Sequence, residues 1–229
     1  MQKRFLNARS PLRLLEKGLH GGLGAGNAGV VLAGRGVGKT SFLVCVALDE
    51  LLRGGRVLHV CLDHTLSHVR AYYDTVFEEL ASTTHLEDEA MVHAEIDRRR
   101  SIRVYPQGSF TASKLRDAVK LEIEAGGQPS LLILEGVDVA KMLEEEMRDL
   151  VALAAELAAE VWLEAQASEE RPGKLPSEVA RFGDLVSVVL TLEPGETAVA
   201  LRALKDHDNP DFEALHVALD PKTLLLVRN

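Results

Sequence analysis

The sequence predicts an α/β fold, with a mostly parallel central sheet flanked by helices and an antiparallel C-terminal extension. Three observations predict it. Short, nearly continuous apolar runs alternate with longer segments of helical periodicity as far as residue 166, as when strands buried on both faces are joined by crossover helices. Beyond residue 176 the helical pattern stops, and four short apolar segments follow one another across turn residues such as "EPGE" and "DPK", which reads as an antiparallel addition to the same sheet. At 229 residues, 46% hydrophobic and 27% charged, the chain suits one sizeable domain with a real core.

Taken in order, "GVVLAG" (29–34) is the first strand. The helix that follows, "KTSFLVCVALDELLRGG", stops at Gly54 and Gly55, because glycine accepts the left-handed turn that ends helices. "RVLHVCLD" (56–63) is the second strand and "LSHVRAYYDTVFEELA" (66–81) the next helix. A polar helical stretch around 87–100 leads to the strand "SIRVY" (101–105), then a helix within 111–125. The fully apolar strand "SLLILE" (130–135), the helix "EEEMRDLVALAAELAAE" (144–160) and the strand "VWLEAQ" (161–166) complete the parallel part. That helix has apolar residues near helical spacing with acids on the remaining face, so packing on the sheet accounts for it. "EERPGKLP" (169–176) is a surface loop, and "LVSVVLTLE" (185–193), "TAVALRALK" (197–205), "EALHVALD" (213–220) and "TLLLV" (223–227) are the extension.

Residues 1–17 stand apart as an N-terminal arm before a domain spanning 18–229. The arm carries Lys3, Arg4, Arg9, Arg13 and Lys17 among Phe5, Leu6, Leu12, Leu14 and Leu15. Two readings are open: docking on a neighbouring subunit or acidic surface, or packing on its own domain.

A net charge of −9 argues against whole-surface attraction to nucleic acid. Cys45 and Cys61 sit in the apolar runs "LVCVAL" and "HVCLD", as buried thiols rather than a disulfide framework. The first residues lack a signal-type apolar run, and no segment approaches the roughly 18 apolar residues that span a bilayer. A cytoplasmic protein is the expectation.

The strongest motif is "AGRGVGKTSF" (33–42), which fits the Walker A spacing with Ala33 in place of the usual first glycine. In such a loop the glycines turn successive N–H groups inward around an anion, and the following helix adds its positive end. Ala33, Gly34, Arg35, Gly36, Val37, Gly38, Lys39, Thr40 and Ser41 form the expected phosphate cradle. Lys39 would reach the β- and γ-phosphates and the Thr40 hydroxyl would ligate Mg²⁺. ATP is expected over GTP, since no Asn-Lys-x-Asp guanine motif is present. A glycine-rich turn that matches by chance is the plain alternative.

With that loop in place, the lead-in "LLEKGLHGGLGAGNAGVVLAGRGVGKTSFL" and the later segments "SLLILEGVD", "VWLEAQAS" and "ALRALKDHD" resemble, in their order, the RecA/KaiC/RadA-like P-loop ATPases. The resemblance covers most of residues 12–227. It implies a RecA-like core, ATP with Mg²⁺, and a homo-oligomeric ring or filament with nucleotide at subunit interfaces. It also assigns roles. Asp63, ending the second strand, takes the place of the family's water-orienting carboxylate, usually Glu; a helix-capping carboxylate is the alternative. Glu135 replaces the Walker B Asp near Mg²⁺, unless it is an ordinary strand-end carboxylate. Gln166 resembles the polar γ-phosphate sensor. Lys205 would act on a neighbour's γ-phosphate, but His207 stands where the family has Arg, so hydrolysis is expected to be slow. "KDHDNPD" read as a solvated turn is the alternative.

The implied function is a slow Mg²⁺-dependent ATPase that couples nucleotide state to assembly or a partner switch. Two others stand beside it: a non-catalytic nucleotide-binding regulator or scaffold, and an accessory ATPase of DNA recombination or repair. For the last, the DNA-facing loop would be 168–183, where Arg171, Lys174 and Arg181 are matched by Glu169, Glu170 and Glu178 and Phe182 is the one aromatic; DNA binding is not favoured. A zinc site from His59, Cys61, His64 and His68 is set aside in favour of buried or capping histidines, for want of a second Cys cluster.

Overall fold

The computed structural model describes residues 2–167, 175–211 and 214–229. The Arg4 and Phe5 side chains, Arg171 and Lys174 lie outside the described residues.

One nine-stranded sheet organises the chain, in the order β3-β2-β4-β5-β1-β6-β7-β8-β9. Six strands run parallel: β1 (Ala28–Ala33), β2 (Val57–Cys61), β3 (Arg100–Val104), β4 (Leu131–Glu135), β5 (Glu160–Gln166) and β6 (Val188–Pro194). Three then add on antiparallel: β7 (Val199–Asp206), β8 (Val217–Leu219) and β9 (Leu226–Arg228). The α/β architecture and its antiparallel C-terminal extension are as the sequence predicts.

Strand alternation builds two cores. Val31, Val57, Cys61, Leu131, Ile133 and Trp162 point to one face, and Val30, Leu32, Leu58, Leu132, Leu134 and Leu163 to the other, the period of two expected of a pleated strand. The first face carries α3 (Lys39–Arg53), α4 (Leu66–Thr84) and α5 (Glu89–Arg99); the second carries α6 (Ala112–Glu124) and α7 (Glu144–Leu157). Phe42 of α3 meets Trp162 edge-on at 5.4 Å and seats that helix on the sheet. The helix starts are capped locally: the Thr65 and Thr111 hydroxyls accept from the N–H groups of His68 and Lys114 at 3.3 and 3.2 Å, satisfying first-turn donors.

Several predicted boundaries need correction. The helix expected to run to 160 ends at Leu157, because Ala158 turns left-handed (φ 47°) and Glu160 already pairs with Leu131. The predicted strand 223–227 is displaced to 226–228: the Leu224 N–H closes a turn onto the Asp220 carbonyl, with Leu224 at φ 59°. The stretch 213–220 pairs only over 217–219, and Glu213 lies outside the described residues.

The N-terminal residues form two helices, α1 (Lys3–Arg9) and α2 (Leu12–Gly18), and an additional short helix, α8 (Ser177–Ala180), precedes β6. Leu6, Leu12 and Leu15 are buried in the same cluster as α3, and Arg13 bonds the buried Asp49 of that helix. Of the two readings of the arm, the structure has it packed on its own domain. Burial raises the Asp49 carboxyl above its usual 3.8, against the opposing pull of Arg13, Ser10 and Arg53. A raised carboxyl favours the neutral form in the fold, so its contribution is greatest below 3.8 and is lost as pH rises through the raised value. The stability advantage of the parent over Asp49→Asn should therefore shrink as pH climbs above about 4, as urea unfolding at stepped pH would measure. An advantage that grows with pH would contradict this account.

Among the described residues, no helix is long and apolar enough to cross a membrane.

Candidate functional site

In the order β2-β4-β5-β1, four parallel strands end side by side. Open α/β sheets take ligands at these carboxyl ends. The register puts Cys61 beside Glu135 and Ala33 beside Gln166, so the segments after β1, β2, β4 and β5 converge. Between them lies a cavity of about 620 Å³, lined by Lys39, Thr40, Asp63, Glu135, Glu164 and Gln166, with Arg35 also on its wall. Five side chains of the predicted site (Lys39, Thr40, Asp63, Glu135 and Gln166) thus share one space, although they come from four separate segments.

The loop Gly34–Gly38 touches this cavity through Arg35 and turns at Gly36 (φ 74°) and Gly38 (φ 117°), which line a smaller neighbouring lobe; glycine adopts these values without strain. Alpha3 begins directly after it, with no side-chain cap and no acid in its first turn. Its first N–H groups and positive end are therefore available to an anion. The Lys39 ammonium folds back over the loop, 3.4 Å from the Ala33 carbonyl and 3.3 Å from that of Gly34. The Ser41 hydroxyl is engaged with the Tyr72 hydroxyl at 2.5 Å. It faces a neighbouring lobe of about 270 Å³, bounded by Val37, His68, Tyr72 and Leu219.

Thr40 and Glu135 meet across the cavity floor: the Thr40 hydroxyl donates to Glu135 Oε1 at 2.5 Å. The other carboxylate oxygen lies 3.1 Å from His59 Nε2, and His59 Nδ1 lies 3.0 Å from the Tyr73 hydroxyl. Burial works to raise the Glu135 carboxyl, but the hydrogen bond and charge of His59, with Thr40 and Cys61, outweigh it and hold it at about 2. Glu135 is an anion at any working pH. The adjacent Cys61 thiol is pushed up to about 12 by burial and then by the Glu135 charge, so it stays protonated and unreactive.

Asp63 is exposed at the end of β2, where Gln107 donates to its Oδ1 at 2.6 Å. It does not cap α4; Thr65 does. Gln166 is exposed at the end of β5. Glu164, which sequence reasoning missed, stands between Glu135 and the loop. It accepts the Gly136 N–H at 3.0 Å, and its carboxyl is raised by burial, then by the Glu135 charge, against the pull of Lys39. Its signal was an acid within an otherwise apolar strand, two residues after the inward-facing Trp162.

Lys205 does not line this cavity. It pairs with Val189, which pairs with Val30 near the start of β1, so it lies toward the opposite end of the sheet. Its ammonium donates to the Val186 carbonyl at 2.6 Å. The "KDHD" segment is not a free solvated turn. Asp206 is 1% exposed and sits 2.6 Å from His20 Nδ1, and the His207 N–H bonds the Ser187 carbonyl. In the loop expected to face DNA, Arg181 donates to the carbonyls of Val139, Ala140 and Met142, and Phe182 is buried. Arg181 is nonetheless exposed, whereas the buried Phe182 presents no ring face for stacking.

The donor set suits a hard cation. Oxygen donors from Thr40 and Glu135 adjoin two further carboxylates, Glu164 and Asp63, with Lys39 close by. Among the described residues no three His, Cys, Asp or Glu side chains form a metal cage. Magnesium does not require one, as it is usually held by one or two carboxylates together with waters and phosphates. No protein-family model matches the chain, and no curated protein does.

Proposed function

We propose that the chain is a RecA-like nucleotide-binding protein that takes ATP with Mg²⁺ and hydrolyses it slowly. The observation that carries this is the Thr40–Glu135 contact at 2.5 Å beside Lys39, in a cavity of about 620 Å³ that shares Lys39 and Thr40 with the lobe lined by Gly36 and Gly38 of the glycine loop. A triphosphate fits the loop by its charge: N–H groups and the α3 positive end receive the phosphates, and Lys39 swings from its carbonyls onto them. Thr40 and Glu135 would hold the metal, which when bound neutralises phosphate charge. Asp63, anchored by Gln107, orients a water toward the terminal phosphate, and Gln166 senses that phosphate from the end of β5. The adjoining lobe beside Tyr72 and His68 gives the base a partly apolar wall.

Lys205 lies too far along the sheet to serve this chain's own cavity. In a head-to-tail ring or filament its end of the sheet would face the neighbour's phosphates. His207 cannot supply the planar cation of an arginine there, and slow turnover follows.

Steady-state phosphate release with Mg²⁺, over a range of protein concentrations, tests the reading. Turnover should be slow, rise with concentration, and drop about 100-fold in Asp63→Asn, the scale of losing a positioned general base. Tight ATP retention with no release by the parent would instead identify a non-catalytic regulator. Stimulation by single-stranded DNA would favour the recombination accessory role.

A further inference from the structure

We infer that His59 is a positioning residue for the metal-binding end of the cavity, holding the Glu135 carboxylate in the one orientation that turns Oε1 toward Thr40. The inference rests on the nucleotide reading above and adds to it a residue that touches neither ligand nor metal.

The need arises from the side chain at position 135. A glutamate at a strand end has one more rotatable bond than an aspartate, and fixing that freedom costs entropy. Here both oxygens are tied: Oε1 to Thr40 at 2.5 Å and Oε2 to His59 Nε2 at 3.1 Å. A carboxylate only accepts, so Nε2 carries the proton in this bond. His59 reaches the carboxylate because β2 and β4 are paired with His59 opposite Ile133 and Cys61 opposite Glu135. Alternation sends residues 59, 61, 133 and 135 to the same α3-bearing face.

The histidine is itself held from behind. His59 and Tyr73 are both 0% exposed. The Tyr73 hydroxyl meets Nδ1 at 3.0 Å, and the Arg100 guanidinium lies 4.6 Å from the centre of the Tyr73 ring. The Arg100 side chain is almost fully buried and bonds Asp97 at 2.5 Å. A continuous chain therefore runs Asp97–Arg100–Tyr73–His59–Glu135–Thr40, from the α5 end to the cavity floor. Packing alone does not account for an imidazole at this depth, since an apolar side chain would fill the space without polar groups to satisfy. The polar chain leads to Glu135, the carboxylate that contacts Thr40. Partners that orient a ligating carboxylate typically set metal affinity by about 10–100-fold.

The test is equilibrium binding of a fluorescent ATP analogue to the full chain, titrated with Mg²⁺ and repeated in EDTA. His59→Leu, His59→Gln and Tyr73→Phe are compared at matched folded fraction, followed by circular dichroism. His59→Leu should raise the Mg²⁺ concentration for half-effect about 10–100-fold, with EDTA affinity within about twofold of the parent. His59→Gln, whose amide can still donate, should recover part of the loss. Tyr73→Phe should shift it in the same direction by less, and it carries the test with His59→Gln if the leucine variant does not fold. An unchanged Mg²⁺ requirement in the folded variants overturns the positioning role. So does an equal loss of affinity with and without Mg²⁺, which marks a purely structural histidine. If the parent binds no nucleotide at all, the reading of the cavity fails, and that result is distinguishable from both.

Discussion

Lys39→Ala should lose nucleotide affinity by more than 100-fold while the fold stays intact. The fold is spared because the ammonium supports little of it: its two bonds, to the Ala33 and Gly34 carbonyls, are long at 3.4 and 3.3 Å, at or beyond the usual range for N–H···O. Substitutions away from packed features change stability by about 0.5 kcal/mol. Binding is a different matter. Hydrogen bonds to charged groups contribute about 1.5–3 kcal/mol each, and two phosphate contacts at the lower end of that range already exceed a 100-fold change in Kd. The neighbours sharpen the loss. Without Lys39, the carboxyls of Asp63, Glu135, Asp138, Glu164 and Glu178 on the cavity wall face Arg35 as the remaining Lys or Arg among the described lining residues, so an incoming triphosphate meets like charge. Titration with a fluorescent ATP analogue in Mg²⁺, alongside thermal unfolding, makes the measurement. Parent-like affinity in a folded Lys39→Ala would mean that this loop is not a phosphate cradle.

What the sequence made legible depended on the range of the interaction. The strands β1, β2, β4 and β5 were readable because burial on both faces forces a nearly continuous apolar run. The glycine loop was readable because positive φ at positions 36 and 38 demands glycine locally. The strand β8 lies inside its predicted range and is shorter, and β9 starts later than predicted because the turn read at "DPK" runs on to Leu225, whose carbonyl accepts the Asp220 N–H. In the site, Asp63 and Glu135 were visible as acids at strand ends. Glu164 was visible in principle, as an acid in a buried strand, but its meaning required the cross-strand neighbour Glu135. Gln107 was not legible at all. It lies in a loop 44 positions from the Asp63 it holds, and no local pattern marks that contact. Lys205, expected to act on a neighbour's γ-phosphate, stands by register toward the other end of the sheet from this chain's own cavity.

Gly136→Ala should cripple turnover without removing nucleotide binding, because this glycine leaves room for Asp63. Gly136 follows β4 at φ 77°, and a Cβ there would lie 2.5 Å from Asp63 Cγ, 2.6 Å from Oδ1 and 2.8 Å from Oδ2. Two costs follow. Alanine in a left-handed conformation loses about 1–2 kcal/mol, which lowers the unfolding midpoint. The carboxylate must also move, and since Asp63 is exposed it can swing outward rather than force the strand apart, giving up its 2.6 Å bond from Gln107. A water-orienting group displaced in this way forfeits about 100-fold or more in rate, at least the effect of Asp63→Asn. Lys39, Thr40 and the glycine loop are untouched by the methyl group, so affinity for the ATP analogue should stay within a few fold. Phosphate release and binding measured on the same preparation separate the outcomes. Full turnover in a folded Gly136→Ala would show that the position of Asp63 does not matter to the reaction. A loss of affinity equal to the loss of rate would show that Gly136 shapes the phosphate cradle, and the water-orienting role would then pass to another carboxyl, for which Glu164, bonded to the Gly136 N–H at 3.0 Å, is the nearest in reach.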